Sequence, residues 1–570
     1  MQTDGTAADS GGRRAWLPFL WIIVASAAAH LWCLGAQFYM DDFPQIVNSD
    51  AVKTGAILSS KLVAWTRLGY VIQYHLFGMS PVGFHAVNWL LHTASACVLF
   101  GFGRDFLREK WPAGVAWFAA LLFAVHPLAS EIPNYARAQD LAWVTLFSLS
   151  AGWLLLGFLR GGSWWKLGGC VLCVLGAMIS KGPGLFHALM VCGVIGLTNF
   201  SPDHWRFLRT KGLWIVGAAG VVLFTLWMAG MLDRWLRAIS LWSEPRFIGH
   251  GYTVARVFWE FAWRCVIPVG LSSDHHIAET LVPPGSHFWN IPDKIAMLSM
   301  AGMLALAGLG AVLAWRGKTR VVGACLLLFV GTILFRVLYL IPEFMPEYRI
   351  YPGMPWFCLG AAVVLAAVWR WMFAHVSPVV PAVALLAVFA GLSAKRSILW
   401  HDLDRLMADV LKRYPAQGRA VWELHDRDLA AGNWQAVITR QEQVWPEVRR
   451  KFIAELQRLA PGRELPTGHF SLAECACMGR YARAVAIGKS PAEGLRRVQA
   501  LEAYLRAMKI DPSTNPAHWN NFARDKALVL ETGGNYQAAL DALTSREEGG
   551  PPQWPRDHER IRRKLAGAQP

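Results

Sequence analysis

The sequence is poor in charged side chains. Asp, Glu, Lys and Arg make up only 16% of its 570 residues, whereas hydrophobic residues make up 54%. This balance excludes an ordinary soluble protein, because a surface in contact with water carries more charge. The apolar residues are also gathered in runs long enough to cross a bilayer. The composition therefore predicts a polytopic membrane protein.

Acidic residues are the scarcer of the two charged kinds. The chain has 39 Asp and Glu against 55 Lys and Arg, a net charge of +16. No zinc-finger, homeodomain or RNA-binding pattern accompanies this charge, so we exclude nucleic acid as a partner. In a membrane protein, an excess of Lys and Arg is typical of cytoplasmic loops and of contacts with lipid head groups.

About eleven apolar segments have the length and composition of membrane helices. They lie near residues 16–36, 84–102, 112–128, 141–159, 167–180, 184–199, 213–231, 295–315, 321–340, 353–373 and 379–395. The first lacks a cleavage site of small residues, which indicates a retained span rather than a removed signal peptide. Gly and Pro at 182–184 predict a tight hairpin between the fifth and sixth helices.

The loops between these segments differ in charge. The positive-inside rule assigns the basic loops to the cytoplasm, and they lie at residues 13–14, 104–110, 160–166, 206–211 and 316–320. The amino terminus is then cytoplasmic, and the carboxyl-terminal region is extracytoplasmic, most simply in the periplasm outside a bacterial inner membrane. The predicted outer loops are 37–83, 129–140, 232–294 and 341–352. Segment 63–83 suits a helix that lies in the interface, and segment 256–264 suits an interfacial or re-entrant helix.

The composition changes after Lys395 to Arg, Glu, Ala and Leu with helical periodicity. Gly–polar–aromatic turns at Gly432, Gly479 and Gly534, each followed by Ala, resemble the tetratricopeptide helix hairpin, although their spacing is irregular. An unrelated helical bundle is the alternative. The predicted fold is all-α, with a cytoplasmic tail at 1–15, a membrane bundle at 16–395 and a repeat domain at 396–570.

Two adjacent carboxylates, Asp41 and Asp42, stand just past the first span. Such a pair at a membrane boundary is costly to desolvate and is a functional-site candidate; the alternative is an acidic helix cap. An acid there suits a general base for an acceptor hydroxyl, and cations at the same depth suit a phosphate leaving group. The predicted outer face also offers Glu131, Asp140, His126, Arg137, Lys181 and Arg349.

Simpler roles stay open for three of these residues. His126 precedes Pro127 and could cap its helix. Lys181 could be a lysine that snorkels to the interface, and Arg349 could anchor lipid head groups. Together, however, the acids and cations describe glycosyl transfer from a polyprenyl-phosphate sugar that enters sideways from the membrane.

Motifs spread over most of the chain resemble, in order, the transmembrane-and-tetratricopeptide O-mannosyltransferases and their bacterial relatives. They are Tyr39-Met40-Asp41-Asp42, Thr66-Arg67, Phe77 to His92, Leu122 to Leu128 with Glu131, Ile179-Ser180-Lys181, Pro268 to Asp274, Glu347-Tyr348-Arg349-Ile350-Tyr351, and Trp400 with Asp402 through Tyr414-Pro415. The resemblance implies a glycosyltransferase of the C-type membrane fold with an inverting mechanism. Its catalytic acid would lie in the first outer loop and its donor would be a polyprenyl-phosphate sugar.

The same resemblance assigns roles to particular residues. Asp41 or Asp42 would be the base, with Asp41 preferred, and Glu131 a second acidic partner. Lys181 and Arg349 would face the donor phosphate. Arg137 would join them, although Ala136-Arg137-Ala138-Gln139-Asp140 departs from the family's Gly-Arg-x-Asp pattern. Further residues of these loops would line the site: His126, Asp140, Arg67 and Tyr351.

Two other functions remain open at this stage. A membrane scaffold could use its repeats to recruit partners, and a polysaccharide polymerase or ligase could use His275, His276 and His287 in the long outer segment. A divalent metal at Asp274, His275 and His276 is conceivable, but adjacent loop histidines are more often solvated. No cofactor is certain beyond the lipid-linked donor. The expected partners are membrane lipid and an acceptor protein or glycan, which the repeats would help to bind.

Overall fold

The computed structural model describes most of the chain. The described residues are 16–56, 65–199, 245–275, 277, 280, 293–338, 344–414, 417–444, 472–507, 516–544 and 554–568. Within these ranges the chain forms helices and turns and no β-strand, which confirms the all-α prediction. It divides into two units. The first comprises Met1–Tyr39, Asp50–Leu271 and Glu279–Asp402; the second comprises Met40–Ser49, Ser272–Ala278 and Leu403–Pro570.

The first unit is a bundle of mostly long, apolar helices. They are α1 Leu17–His30, α2 Asp50–Thr54, α3 Trp65–Phe77, α4 Pro81–Leu107, α5 Ala113–Val125, α6 Glu131–Asn134, α7 Gln139–Leu159, α8 Trp164–Ser180, α9 Gly184–Asn199, α10 Pro245–Val266, α11 Lys294–Trp315, α12 Arg320–Leu334, α13 Met354–Met372 and α14 Val379–Leu399. Short 3₁₀ turns at Leu31–Gly35, Pro127–Ala129, Ala136–Ala138, Phe335–Leu338 and Glu347–Gly353 link or extend them.

Seven helical segments of the described residues are long and apolar enough to cross a membrane. The bent pair Ala113–Val125 and Pro127–Asn134 makes an eighth if it is a single span, and α8 and α9 are shorter apolar helices. Every predicted span within the described residues is thus a helix, whereas 213–231 lies outside them. Leu298 on α11 and Val380 on α14 are 72% and 77% exposed, as expected of helices that face lipid. The chain is an integral, multi-pass membrane protein.

The core of the bundle lies where α4, α5, α7 and α13 pack against one another. Phe102 on α4 meets Trp356 on α13 edge to face, with ring centroids 5.4 Å apart. Ala116 and Ala120 on α5 are fully buried, and their small side chains let the neighbouring helices approach closely. This packing fixes the helices whose ends carry the loops described below.

Basic loops gather at one end of this bundle. Lys110 donates a hydrogen bond to the carbonyl of Gly317, and the guanidinium of Arg160 lies 3.7 Å from Glu109. Arg370, at the end of α13, lies 4.8 Å above the ring of Trp111. Since α7 has 21 residues and ends beside Arg160 at this end, its first turn lies about 30 Å distant, at the opposite end of the bundle.

The second unit is built from helical hairpins. Its helices are α15 Leu403–Arg413, α16 Gly418–Ala430, α17 Trp434–Thr439, α18 Leu472–Gly488, α19 Pro491–Ala507, α20 Pro516–Thr532, α21 Tyr536–Thr544 and α22 Trp554–Ala568, with short π-helical turns at Phe43–Val47 and Arg440–Val444. Gly432 and Gly534 occupy the turns before α17 and α21 with φ of 77° and 75°, which a glycine adopts without strain. Assignment of these hairpins to the tetratricopeptide class stays a prediction, as does the domain boundary at residue 396.

The predicted turn at Gly479 is wrong, because α18 runs through this residue. A Cβ atom at Gly479 would overlap the carboxylate of Asp525. That carboxylate accepts a hydrogen bond of 2.8 Å from the buried guanidinium of Arg480. Glycine is therefore needed at this position for close packing between helices and not for a turn.

Candidate active site

The centre of the candidate site in the first unit is one carboxylate shared by two cations. Oδ2 of Asp140 lies 2.6 Å from Nη1 of Arg137 and 2.8 Å from Nζ of Lys181. The side chain of Asp140 is 4% exposed, whereas those of Arg137 and Lys181 are 30% and 29% exposed. Two cations on one anion leave a net positive charge that is partly open to solvent, and such a site attracts anions.

Local structure explains how these three residues meet. Arg137 lies in the 3₁₀ turn Ala136–Ala138, and Asp140 lies in the first turn of α7, where the helix dipole favours an acid. Lys181 ends α8 with an extended backbone, and α9 starts at Gly184. The predicted hairpin at 182–184 is confirmed. Lys181, directly before this hairpin, therefore lies next to Asp140 in the first turn of α7.

Lys181 loses its proton at a lower pH than an ordinary lysine. Burial lowers the pKa of its ammonium group from 10.5 to about 8, and the positive charges of Arg137 and Arg349 act in the same direction. The carboxylate of Asp140 opposes the shift without cancelling it. A further anion in this site would stabilise the charged form of Lys181.

The segment before α13 covers this cluster from another side. Nζ of Lys181 lies 5.6 Å from the ring centroid of Tyr348. The backbone N–H of Tyr348 donates a 2.7 Å hydrogen bond to Oε2 of Glu131, which is 1% exposed. The structure thus brings Glu131 to the segment of Tyr348 and Arg349, and it brings Arg349 within electrostatic reach of Lys181.

A second buried ion pair in this region escaped the sequence analysis. Nη2 of Arg396 on α14 donates a 2.6 Å hydrogen bond to Oε2 of Glu347, and their side chains are 8% and 0% exposed. Glu347 directly precedes Tyr348, so the pair fastens the segment that covers Lys181 to α14. Arg396 directly follows the predicted span 379–395, where a cation commonly flanks a membrane helix, so the sequence did not distinguish it.

Helix α3 holds two of these loops in place. The hydroxyl of Thr66 donates to the carbonyl of Ser180 over 3.1 Å, and that of Tyr70 lies 3.4 Å from the carbonyls of Ala136 and Arg137. The same helix exposes Leu76, at 69%, which agrees with the amphipathic helix predicted in 63–83. Arg67, a predicted lining residue, is exposed on α3.

Two other predicted lining residues have structural roles. Nδ1 of His126 accepts a 3.2 Å hydrogen bond from the N–H of Leu128, and Nε2 lies 2.9 Å from the carbonyl of Cys265. His126 is therefore a buried cap, the simpler of the two interpretations. Tyr351 is also fully buried, with its hydroxyl 2.9 Å from Nδ1 of His92, which places it in the core and not at the cluster.

Asp41 and Asp42 belong to the second unit. The residue before them, Met40, has a φ of 38°, a strained value for a side chain with a Cβ. Asp42 stands at the start of the π-helical turn Phe43–Val47, but its side chain makes no capping hydrogen bond to that turn. Asp42 therefore does not cap this turn. Asp42 is buried, whereas the side chain of Asp41 is 47% exposed.

Asp41 shares an arginine with Asp274. Nη2 of Arg419 lies 3.9 Å from Oδ1 of Asp41, and Nε lies 3.9 Å from Oδ2 of Asp274. Next to it, Nδ1 of His275 lies 2.8 Å from the hydroxyl of Tyr414. The motifs around 41, 274 and 414 thus converge within one unit. Arg419 was missed because it lies in the predicted repeat region, where nothing marks one arginine among many.

No group of three or more His, Cys, Asp or Glu suited to a metal ion occurs among the described residues. Of the suggested set, Asp274 lies beside the guanidinium of Arg419 and His275 contacts Tyr414. His276 lies outside the described residues. A cationic guanidinium is a poor neighbour for a metal ion, which disfavours Asp274 as a ligand; the suggested metal stays a prediction.

Several known proteins are similar to this chain. A protein O-mannosyl-transferase of Caenorhabditis elegans is 30% identical over 149 residues, which are 23% of this chain and 21% of that protein. Human protein O-mannosyl-transferase TMTC1 is 24% identical over 470 residues, which are 68% of this chain and 51% of that protein. Mouse TMTC1 is 30% identical over 172 residues, which are 25% of this chain and 18% of that protein. No family model matches the chain.

The resemblance inferred from the motifs is thereby confirmed, since each of these relatives is named a protein O-mannosyl-transferase. The longest of these matches covers about half of the relative's length, and the others cover about a fifth. The roles predicted for individual site residues stay predictions.

Proposed function

We propose that this protein is a glycosyltransferase that moves a sugar from a polyprenyl-phosphate donor to a protein or glycan acceptor on the outer side of the membrane. The observation that carries the proposal is the carboxylate of Asp140 held between Arg137 and Lys181. Such a cluster is suited to the phosphate of a donor, and the protein O-mannosyl-transferase names of the relatives support sugar transfer. Mannose is the first sugar to test.

The proposed chemistry is a single displacement at the anomeric carbon. Asp41 accepts the proton of the acceptor hydroxyl while the oxygen of that hydroxyl bonds to the anomeric carbon of the sugar. The bond from the sugar to the phosphate oxygen breaks, and the polyprenyl phosphate leaves with an added negative charge. Lys181, Arg137 and Arg349 stabilise that charge. One displacement inverts the configuration of the anomeric carbon.

The position of the cluster in the bundle supports an outer-side reaction. The cluster lies at the end of the bundle opposite the loops of Lys110 and Arg160. Because basic loops face the cytoplasm, the cluster would face outward, with the amino terminus inside. A donor whose lipid tail stays in the bilayer would then reach it from the side, past the exposed apolar residues of α3.

The proposal is tested by sugar transfer from a defined lipid donor. Full-length protein in liposomes receives radiolabelled dolichyl-phosphate mannose or undecaprenyl-phosphate mannose together with membrane protein as acceptor. We expect label to pass to the acceptor. The variant Lys181→Gln should lose roughly ten- to a hundredfold in kcat/KM, because a group that stabilises the leaving phosphate is missing.

Lys166→Gln is the matched control, since Lys166 lies near the other end of α8. It should keep the wild-type rate. Absence of transfer from both lipids, combined with absence of any polyprenyl phosphate in the purified protein by mass spectrometry, would refute the proposal and favour a scaffold.

A further inference from the structure

Arg419 connects two acids that are far apart in the sequence. It lies in the first turn of α16, and its guanidinium lies 3.9 Å from both Asp41 and Asp274. Its side chain is 23% exposed, so it is screened from water far better than an ordinary surface arginine. All three residues belong to the second unit.

Hydrogen bonds hold the segments next to Arg419 together. The hydroxyl of Tyr414 contacts His275, and the side-chain amide of Gln417 donates a 3.3 Å hydrogen bond to the carbonyl of His275. These contacts bind the segment after Asp274 to the residues that precede α16. Asp274 is itself 8% exposed at its side chain, so it gives the guanidinium a fixed anionic neighbour.

The two distances also determine how strongly Asp41 is engaged. Hydrogen bonds between guanidinium and carboxylate groups are 2.7–2.9 Å long. At 3.9 Å, Arg419 attracts the carboxylate of Asp41 without occupying its oxygens. Arginine also stays charged at every working pH, so the attraction is constant.

We propose that Arg419 is a positioning residue that orients the carboxylate of Asp41 toward the acceptor hydroxyl. This inference rests on the proposed role of Asp41 as the base. Asp41 is half exposed and follows the strained residue Met40, so its carboxylate needs an external constraint to keep one direction. The helical region that begins at residue 403 thus supplies one residue to the candidate catalytic machinery.

The opposite role would be an inhibitory latch in which Arg419 withholds Asp41 from the acceptor. The two roles differ in the sign of one result. Removal of a positioning residue lowers kcat, whereas removal of a latch raises it. The open 3.9 Å geometry favours positioning, because a latch would be expected to form direct hydrogen bonds.

The test compares Arg419→Gln, Arg419→Lys and the control Arg427→Gln in the full-length protein. Arg427 lies on the same helix but pairs with Asp404 at 2.8 Å. With lipid-phosphate mannose as donor, we expect Arg419→Gln to lower kcat roughly ten- to a hundredfold with an unchanged KM for the donor. Arg419→Lys should recover part of the rate, and Arg427→Gln should keep all of it.

An unchanged or higher kcat in Arg419→Gln would overturn the inference, as would an equal loss in Arg427→Gln. If Arg419→Gln does not fold, the test uses Arg419→Lys instead. This variant should keep between a tenth and all of the wild-type rate if a positive charge at position 419 is enough to orient Asp41.

A second measurement separates this inference from the proposed function. Cysteines replace Asp41 and Arg419 in the full chain, and a short bifunctional methanethiosulfonate joins them if they are neighbours. Peptide mass spectrometry detects the cross-linked product. A protein with Asp41→Cys and Arg427→Cys is the control and should not be cross-linked. Wild-type protein without transferase activity would refute the function alone; absence of the 41–419 product would refute the role of Arg419.

Discussion

Two candidate carboxylates, one in each unit, are held in opposite ways. Asp140 is 4% exposed and lies within 2.8 Å of two cations. Asp41 is 47% exposed, with its arginine at 3.9 Å. The first carboxylate is engaged by charged hydrogen bonds on one oxygen, whereas the second keeps its oxygens accessible.

This difference assigns different chemistry to the two acids. A carboxylate that two cations hold in a buried site gains little from a proton, so it is a poor base but a good counter-charge. A carboxylate that is exposed and only loosely oriented can accept a proton from a substrate. We therefore propose Asp140 as part of the phosphate-binding cluster and Asp41 as the base, and the following changes probe that contrast.

The largest effect should come from the exposed acid. We expect Asp41→Asn to lower the transfer rate by about 10²- to 10⁴-fold at saturating donor, because an amide cannot accept the proton. Asp42→Asn should lower it less, since Asp42 is buried. Asp50→Asn, on the exposed start of α2, serves as the control. A fully active Asp41→Asn protein would remove the contrast between the two acids.

A third carboxylate, Glu347, extends the comparison to a fully buried acid that pairs with a buried arginine. Glu347→Gln leaves Arg396 without its counter-charge at 8% exposure, so we expect a loss of about 3–5 kcal/mol in the free energy of unfolding. Thermal unfolding in detergent measures it. The double variant Glu347→Gln with Arg396→Met should be closer to wild type; an equally unstable double variant would contradict this account.

Asp140→Asn should have an intermediate effect. It leaves Arg137 and Lys181 side by side without their shared anion, but both are partly exposed, so we expect a loss on the order of 1–3 kcal/mol. Adding Lys181→Gln should restore part of this stability while transfer stays low. Unfolding curves and initial rates on the same preparations separate the two quantities, and an Asp140→Asn protein as stable as wild type would argue against the shared ion pair.

The smallest effect is a pH dependence at Lys181. Its pKa is about 8 in the folded protein and returns to its ordinary 10.5 on unfolding. Between these values the unfolded chain binds more protons, so stability should rise with pH, and this gain is lost as the pH falls through about 8. Donor binding should change in the opposite sense, because the neutral amine no longer attracts phosphate.

Melting temperature and donor KM followed from about pH 7 to pH 10 measure both trends. Lys181→Arg should abolish them, since arginine stays charged throughout. If Lys181→Arg shows the same trends as wild type, another group is responsible.

The membrane helices were predictable because an apolar run long enough to cross a bilayer can satisfy its backbone hydrogen bonds in few ways other than a helix. The meeting of Lys181 with Asp140 depends on how α8 packs against α7. Arg137 and Asp140 are three residues apart at a helix start, so their placement followed from local signals. The partners Arg396 and Arg419 did not, since each meets its acid only through tertiary folding. The turn predicted at Gly479 was wrong for a related reason. The role of this glycine depends on Asp525, which approaches from another helix.

The segment Met40–Ser49 belongs to the same unit as Leu403–Pro570, which lies much later in the sequence. Domains generally fold in the order of their synthesis, yet the ion pair of Asp41 must wait until α16 has emerged. Asp41 and Arg419 lie far apart in the sequence, so their contact closes a long loop, and contacts of this kind form slowly.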